Sequence, residues 1–223
     1  QFGRNDITVT YLEGWRVEQL AQLLSEKLDN INYKEFVLEA RDYEGYLFPD
    51  TYFFTVDSTQ KEIMDRLEDT FKQKTQDLLS NKSLREAGLT EEEAVILASI
   101  IEREAFKYED RQIIAGILIY RLRQGAALEA DATTQYAVAL DKHCVPVSCR
   151  STGVNCDLDP SVEVCASGLE EKYLEDINWW PHNLTQYDLD FDSPCNTRKV
   201  AGLPPAPISS FSLSALEAVI NHI

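Results

Sequence analysis

The stretch that most constrains this chain is Thr90 to Lys107, TEEEAVILASIIEREAFK. Thr90 with Glu93 three residues later has the form of a capping box, and acids in the first turn suit the positive end of a helix dipole, so a helix starts here. At 3.6 residues per turn Ala94, Leu97, Ala98, Ile101 and Ala105 share one face. Ile96 and Ile100 lie on the opposite one and leave Ser99 nearly alone among apolar neighbours. A helix that is apolar all round is a buried helix. Glu102 follows directly on this run, so its carboxyl is expected where core meets cleft. Partial desolvation at such a place raises a carboxyl toward the range a general acid needs. The plainer alternative is an ion pair with Arg103, Arg111 or Arg121, since structural pairs also place acids at helix ends. Glu104, two residues on, points roughly the other way, so the two acids are not a facing pair.

A length of 223 residues predicts one or two domains with a sizeable core. With 38 acids against 21 Lys and Arg, the formal charge of -17 argues against a nucleic-acid partner and against docking on anionic lipid through a basic patch. There is no run of eighteen apolar residues to span a membrane, and Gln1 does not open a signal peptide, so a mature or excised fragment is expected. Cys144, Cys149, Cys156 and Cys165 crowd together, and Cys195 stands apart. Without a CxxC pair or a histidine pair at ligand spacing, zinc is a poor fit. Disulfides in an oxidising, extracytoplasmic setting fit better, with Cys195 as the odd thiol; reduced, idle cysteines are the alternative.

Residues 6 to 12 alternate like a half-buried strand, and the Glu13-Gly14 turn ends them. Helical spacing follows over 16 to 28, with a second short helix over 33 to 41. The aromatic run 43 to 54, YEGYLFPDTYFF, contains Pro49 and is no regular helix; it is either a packed loop or a wall against which sugar rings stack. Residues 60 to 79 read as a long surface helix bracing two lobes. A strongly apolar helix over 109 to 123 stops at Gly125, and another is expected from Thr134, with Asp131 or a threonine as an unremarkable cap. Residues 141 to 178 read as a cysteine-rich surface insertion, 193 to 207 as a proline-punctuated loop, and a final helix opens at Ser212. The expected class is α+β: a small N-terminal α/β lobe (1–58), a linking helix (59–88) and a helix-rich catalytic lobe (89–223).

Four segments, EGYLFPDTY (44–52), ILASIIEREA (96–105), IAGILIYRLRQGAALEADATTQYA (114–137) and SPCNTRKVAGLPPAPI (193–208), closely resemble, in order and rough spacing, the MltG (YceG-like) family of endolytic murein transglycosylases. The match covers about residues 6 to 140 and 179 to 221. The resemblance implies cleavage of the β-1,4 bond between MurNAc and GlcNAc within peptidoglycan strands, on the outer face of the bacterial cytoplasmic membrane, by a protein whose membrane anchor is not in this sequence. It implies no metal or organic cofactor. Peptidoglycan glycan strands are the implied substrate, and peptidoglycan synthases are implied partners.

The resemblance places the catalytic role on Glu102, the first acid of the helix motif. A lytic transglycosylase needs only one carboxyl, because the sugar's own C6 hydroxyl attacks C1 and leaves a 1,6-anhydroMurNAc end; hydrolytic glycosidases ordinarily need two. Candidates for holding the sugar are Glu129, Asp131, Thr133, Tyr136, Asn196 and Thr197. The sequence also departs from the family pattern: Glu129-Ala130-Asp131-Ala132 replaces Gln followed by Ser-Asp-Pro or Thr-Asp-Pro, and Cys195-Asn196-Thr197-Arg198 lacks a tyrosine on each side of Asn-Thr. Segments expected on either side of the match are absent, so truncation at both ends is expected. Two rival readings stand beside the first: a noncatalytic peptidoglycan-binding or division scaffold, and a hydrolase using Glu129 or Asp131 as a second acid.

Overall fold

The structure, a computed structural model, describes residues 6–142 and 178–222. Strand β1 (Ile7–Thr10) pairs antiparallel with β2 (Thr51–Phe54), with Val9 opposite Tyr52. Alternation turns Val9, Tyr52 and Phe54 inward and leaves Thr8, Thr10, Thr51 and Phe53 outside. Two strands alone are marginal in water and need a covering layer. Helices α1 (Val17–Lys27) and α2 (Tyr33–Ala40) supply it, joining Leu20, Leu24 and Phe36 to the strands in one core. Strand β2 lies in the aromatic run that the sequence reads as either a packed loop or a sugar-stacking wall, not as a strand. Packing is its main business: Tyr52 and Phe54 stack at 5.9 Å, and Leu47 and Phe48 are also buried.

Helix α3 (Gln60–Thr75) opens on a Thr59–Glu62 capping box. It sends Ile63, Met64 and Leu67 into this first core and Phe71 into a second. After α4 (Asn81–Ala87), the second core is built around α5 (Glu91–Glu104), α6 (Tyr108–Arg123) and α9 (Leu213–Ile220), the last packing against both others. The Thr90–Glu93 capping box forms as expected, and the eight residues Ala94 to Ile101 are all buried. At about 1.5–3 kcal/mol for each large apolar side chain, that run anchors the fold. Helix α6 ends in a Schellman arrangement, with the Gly125 N–H on the Leu122 carbonyl and the Ala126 N–H on that of Arg121.

Helix α7 (Asp131–Lys142) starts three residues before the expected Thr134. The reason is tertiary: Glu104 Oε1 accepts the Ala132 N–H at 3.1 Å, satisfying a donor that local sequence leaves open. A short α8 (Gln186–Leu189) precedes the loop 193–208. That loop meets the 44–52 motif at Gly45, whose φ is +79° and where a Cβ would stand 2.4 Å from that of Pro207; no other residue fits there unstrained. The class is α+β, helix-rich with a small two-stranded sheet. The four clustered cysteines lie outside the described residues. Cys195 is a free thiol, buried, and burial pushes it up to about 12, which leaves it inert.

Candidate active site

Ser99, the odd polar residue of α5, explains how the site is assembled. Its hydroxyl accepts the Ile208 N–H at 3.0 Å, and its carbonyl accepts from Ser209 Oγ at 3.2 Å, so the segment after the proline loop is laced to α5. One residue on, Ser210 exchanges backbone bonds with the β1–α1 turn: its carbonyl accepts the Gly14 N–H and its own N–H donates to Trp15 O. Three distant pieces of chain thus meet at the C-terminal end of α5.

Glu102 sits at that meeting, its side chain 8% exposed. Arg111 Nη2 donates to Oε1 at 2.7 Å. Oε2 accepts the Ser212 N–H at 2.9 Å and the Ser212 hydroxyl at 2.5 Å. Ser212 caps α9, so the carboxylate lies at the positive end of that helix. The serine hydroxyl is saturated: besides donating to Glu102 it accepts from Arg111 Nη1 at 2.7 Å and from the Ala215 N–H at 3.2 Å. Arg111 Nε reaches the Ala105 carbonyl at 2.9 Å, so one guanidinium fixes both the acid and the end of its helix. Of the three arginines available from the sequence, Arg111 is the partner. Arg103 lies 4.1 Å over the Trp180 ring, and Arg121 pairs with Glu129. Desolvation is therefore only part of the environment, since both oxygens of Glu102 are held by donors.

The Glu13-Gly14 turn closes over the acid. Gly14, at φ +73°, leaves room where a Cβ would lie 3.1 Å from Arg103 Nη1 and 3.8 Å from Glu102 Cγ. Glu13 is exposed on this turn; partial burial raises it, and the negative charge of Glu102 raises it further. Neither Glu13 nor Ser212 stands out in the sequence, because each acquires its place only through a partner distant along the chain. Ser212 as the cap of the last helix was the one available signal.

The other expected residues form a neighbouring frame, joined to α5 through the Glu104–Ala132 bond. Thr133, Asn196 and Thr197 are fully buried and hydrogen-bonded to one another's elements. The Thr133 and Thr197 hydroxyls meet at 2.7 Å, Thr197 Oγ1 also accepts the Ala130 N–H, and Asn196 Oδ1 accepts from Thr134 at 2.8 Å. Asn196 Nδ2 donates to the carbonyls of Leu189 and Phe191. These groups clamp the loop to α7. Tyr136 is buried with Arg16 4.3 Å over its ring. Glu129 and Asp131 face solvent, paired with Arg121 at 3.0 Å and with Arg198 at 2.5 Å. Glu129 holds a left-handed φ of 57°, a conformation costing a non-glycine residue on the order of 1 kcal/mol. Among the described residues no cluster of three or more His, Cys, Asp or Glu is placed to hold a metal ion.

Comparison with known proteins gives a consistent picture. The sequence model of the YceG-like family matches residues 2–223. A curated relative from Streptococcus pneumoniae serotype 2 strain D39, named endolytic murein transglycosylase, is 29% identical over 179 residues, covering 80% of this chain and 26% of its own length. One of the same name from Bacillus subtilis strain 168 is 28% identical over 179 residues and is covered over 38% of its length. The chain thus spans well under half of these relatives. The crystal structure of a YceG-like protein from Listeria monocytogenes superposes with a TM-score of 0.70 at 22% identity, over 97% of this chain and 66% of that one, which shows a shared fold.

Proposed function

This chain belongs to the YceG-like family, and on that premise we propose that it is an endolytic murein transglycosylase with Glu102 as its general acid and base. The observation that carries the reading is the carboxyl of Glu102, fixed on both oxygens at the end of a buried helix and roofed by a turn from the other lobe. In the first step a protonated Glu102 gives its proton to the glycosidic oxygen leaving C1 of MurNAc, and the C1–O bond breaks. The MurNAc C6 hydroxyl then bonds to C1 and returns its proton to Glu102, so no water is consumed and the ring closes as a 1,6-anhydro end. The donors found at rest suit the second step, in which Glu102 receives a proton as an anion. For the first, Glu13, on the turn that approaches Glu102, is a carboxyl that holds its proton more tightly than an ordinary glutamate, through burial and then through the charge of Glu102.

Among the residues expected at the sugar, Glu129 and Asp131 are the ones that reach solvent, and Thr133, Tyr136, Asn196 and Thr197 act by holding the wall in place. The substrate is the glycan strand of peptidoglycan, which sets the working location outside the cytoplasmic membrane; no helix among the described residues is long and apolar enough to cross one. A small N-terminal lobe and a catalytic lobe are read from the two cores that meet along α3. The scaffold alternative draws on one observation, that the acid is fully paired at rest. The hydrolase alternative loses support from the pairing of Glu129 and Asp131 with arginines. The deciding experiment is mass analysis of fragments released from purified peptidoglycan: anhydro ends support the lyase, water-added reducing ends the hydrolase, and binding without any release the scaffold.

A further inference from the structure

We infer that Phe106 and the depression beside it form a subsite for an uncharged N-acetylhexosamine ring of the glycan strand, an inference that rests on the lyase reading for its ligand. Phe106 is 98% exposed, whereas in the aromatic run read as either a packed loop or a sugar-facing wall Phe48, Tyr52 and Phe54 are buried and Phe53 is half-exposed. A phenylalanine kept wholly in water forgoes about 1.5–3 kcal/mol of burial, and this one stands on stiff backbone. It occupies the three-residue link between α5 and α6, where the Ala105 N–H is bonded to Ile101 O and the Ala105 carbonyl is gripped by Arg111. The same guanidinium holds Glu102, so the ring and the acid share one support. A ligand that lands on this ring covers apolar surface which the fold itself leaves in water.

The depression has a volume of about 420 Å³, within the range of small-ligand sites. Phe106, Ile113 and Ile114 give it apolar walls; Glu104, Lys107 and Asp110 give it a polar rim. That division fits a pyranose, whose C–H face packs on an aromatic ring while its hydroxyl and acetamido groups reach hydrogen-bonding partners at the edge. The rim carries two acids and one lysine, on a chain of formal charge -17. On a strand freed of its peptides such a rim repels a ring bearing a free lactyl carboxylate and accepts a neutral one, so there the subsite selects GlcNAc over MurNAc. It also fixes the strand's register, because the two sugars alternate. Loop 193–208, by contrast, exposes only Val200 among large apolar side chains.

The test measures binding and cleavage of glycan strands freed of their peptides by the wild-type chain, Phe106→Ala and Phe106→Tyr. The expected result is a roughly tenfold weaker affinity and a matching rise in KM for Phe106→Ala with kcat held, recovery in Phe106→Tyr, and an unchanged melting temperature. A second probe, fully acetylated chitohexaose, binds by the same site and loses affinity in the same variant. If Phe106→Ala binds and cleaves as the wild type does, the subsite is overturned and the lyase reading stands. Binding that weakens in Phe106→Ala, with no cleavage by any form, keeps the subsite and removes the lyase. No binding and no cleavage by the wild type removes both. Weaker self-association of Phe106→Ala in sedimentation, with glycan affinity unchanged, overturns the subsite and gives this face, with exposed Ile113, Ile117 and Tyr120, to a second copy of the chain.

Discussion

Two buried charge clusters hold this protein together, and they are finished differently. Around Glu102 every side-chain polar atom of Glu102, Arg111 and Ser212 has a donor or acceptor, Arg103 Nε beside them being the exception, and the Glu102 and Arg111 side chains keep 8% and 7% of their surface in contact with water. Around Arg16 the cluster is sealed: Arg16, Glu18 and Glu44 are 0%, 2% and 3% exposed. Arg16 grips Glu18 with Nε at 3.0 Å and lies between the rings of Tyr136 and Trp179, at 4.3 and 4.8 Å. Yet its Nη1 and Glu44 Oε1 have no hydrogen-bond partner. Glu44 is pushed up to about 8, first by burial and then by the charge of Glu18, so near neutrality it keeps its proton and one arginine faces one carboxylate. The sealed cluster balances its charge by protonation and stacking, and it fastens the first core to α7. The open one is ordered atom by atom, as a site that must hold a reacting group in place is.

The contrast breaks most visibly at Arg111. Replacing it by Met leaves Glu102 and the Ala105 carbonyl without their common donor, and cleavage at saturating strand should fall on the order of 100-fold through misplacement of the acid; single-turnover kinetics checks it, and an unchanged kcat would deny Arg111 a positioning role. Arg16→Met is expected to act on stability instead, by about 3–5 kcal/mol, because Glu18 is left as an uncompensated buried charge. That corresponds to a melting temperature lower by roughly 10 °C, read by calorimetry or urea titration.

The protonation of Glu44 gives a sharper distinction. Its folded value, about 8, lies above its ordinary 4.5. The native state therefore binds the extra proton, the contribution is complete below the ordinary value, and it is lost as pH rises through about 8. Melting temperature should decline by on the order of 10 °C over that interval, and Glu44→Gln should flatten the decline; an equally steep curve in the variant would show another group at work. Smaller effects belong to the frame. Thr197→Val removes the partner of the Thr133 hydroxyl and of the Ala130 N–H, for about 1–2 kcal/mol in a denaturant titration. Asp131→Asn, at an exposed pair, should change stability by less than about 0.5 kcal/mol.

The sequence made α5 legible because everything that defines it is local: the capping box, the apolar run and the acid that ends it. It pointed to Glu102 and offered Arg111 among three possible partners. Strand β2 escaped because its pairing with β1 spans more than forty residues and its sequence is aromatic enough to be core in any conformation. The start of α7 was misplaced because its first free N–H is satisfied by Glu104, from another helix. Asn196 and Thr197 read as ligand contacts because loop polar residues often meet ligands; their burial and their bonds to α7, which no local pattern records, are what the structure adds. Ser212 and Glu13 came to the site through long-range folding, which no local pattern records.

The most direct test compares peptidoglycan digestion by the wild-type chain and by Glu102→Gln, both verified as folded by their melting curves. Release of anhydro-ended fragments by the wild type, with at least a thousandfold loss in the variant (about 4 kcal/mol of transition-state stabilisation), is the predicted result. Comparable release by both proteins, or none by the wild type, would contradict the assignment of Glu102 as the acid.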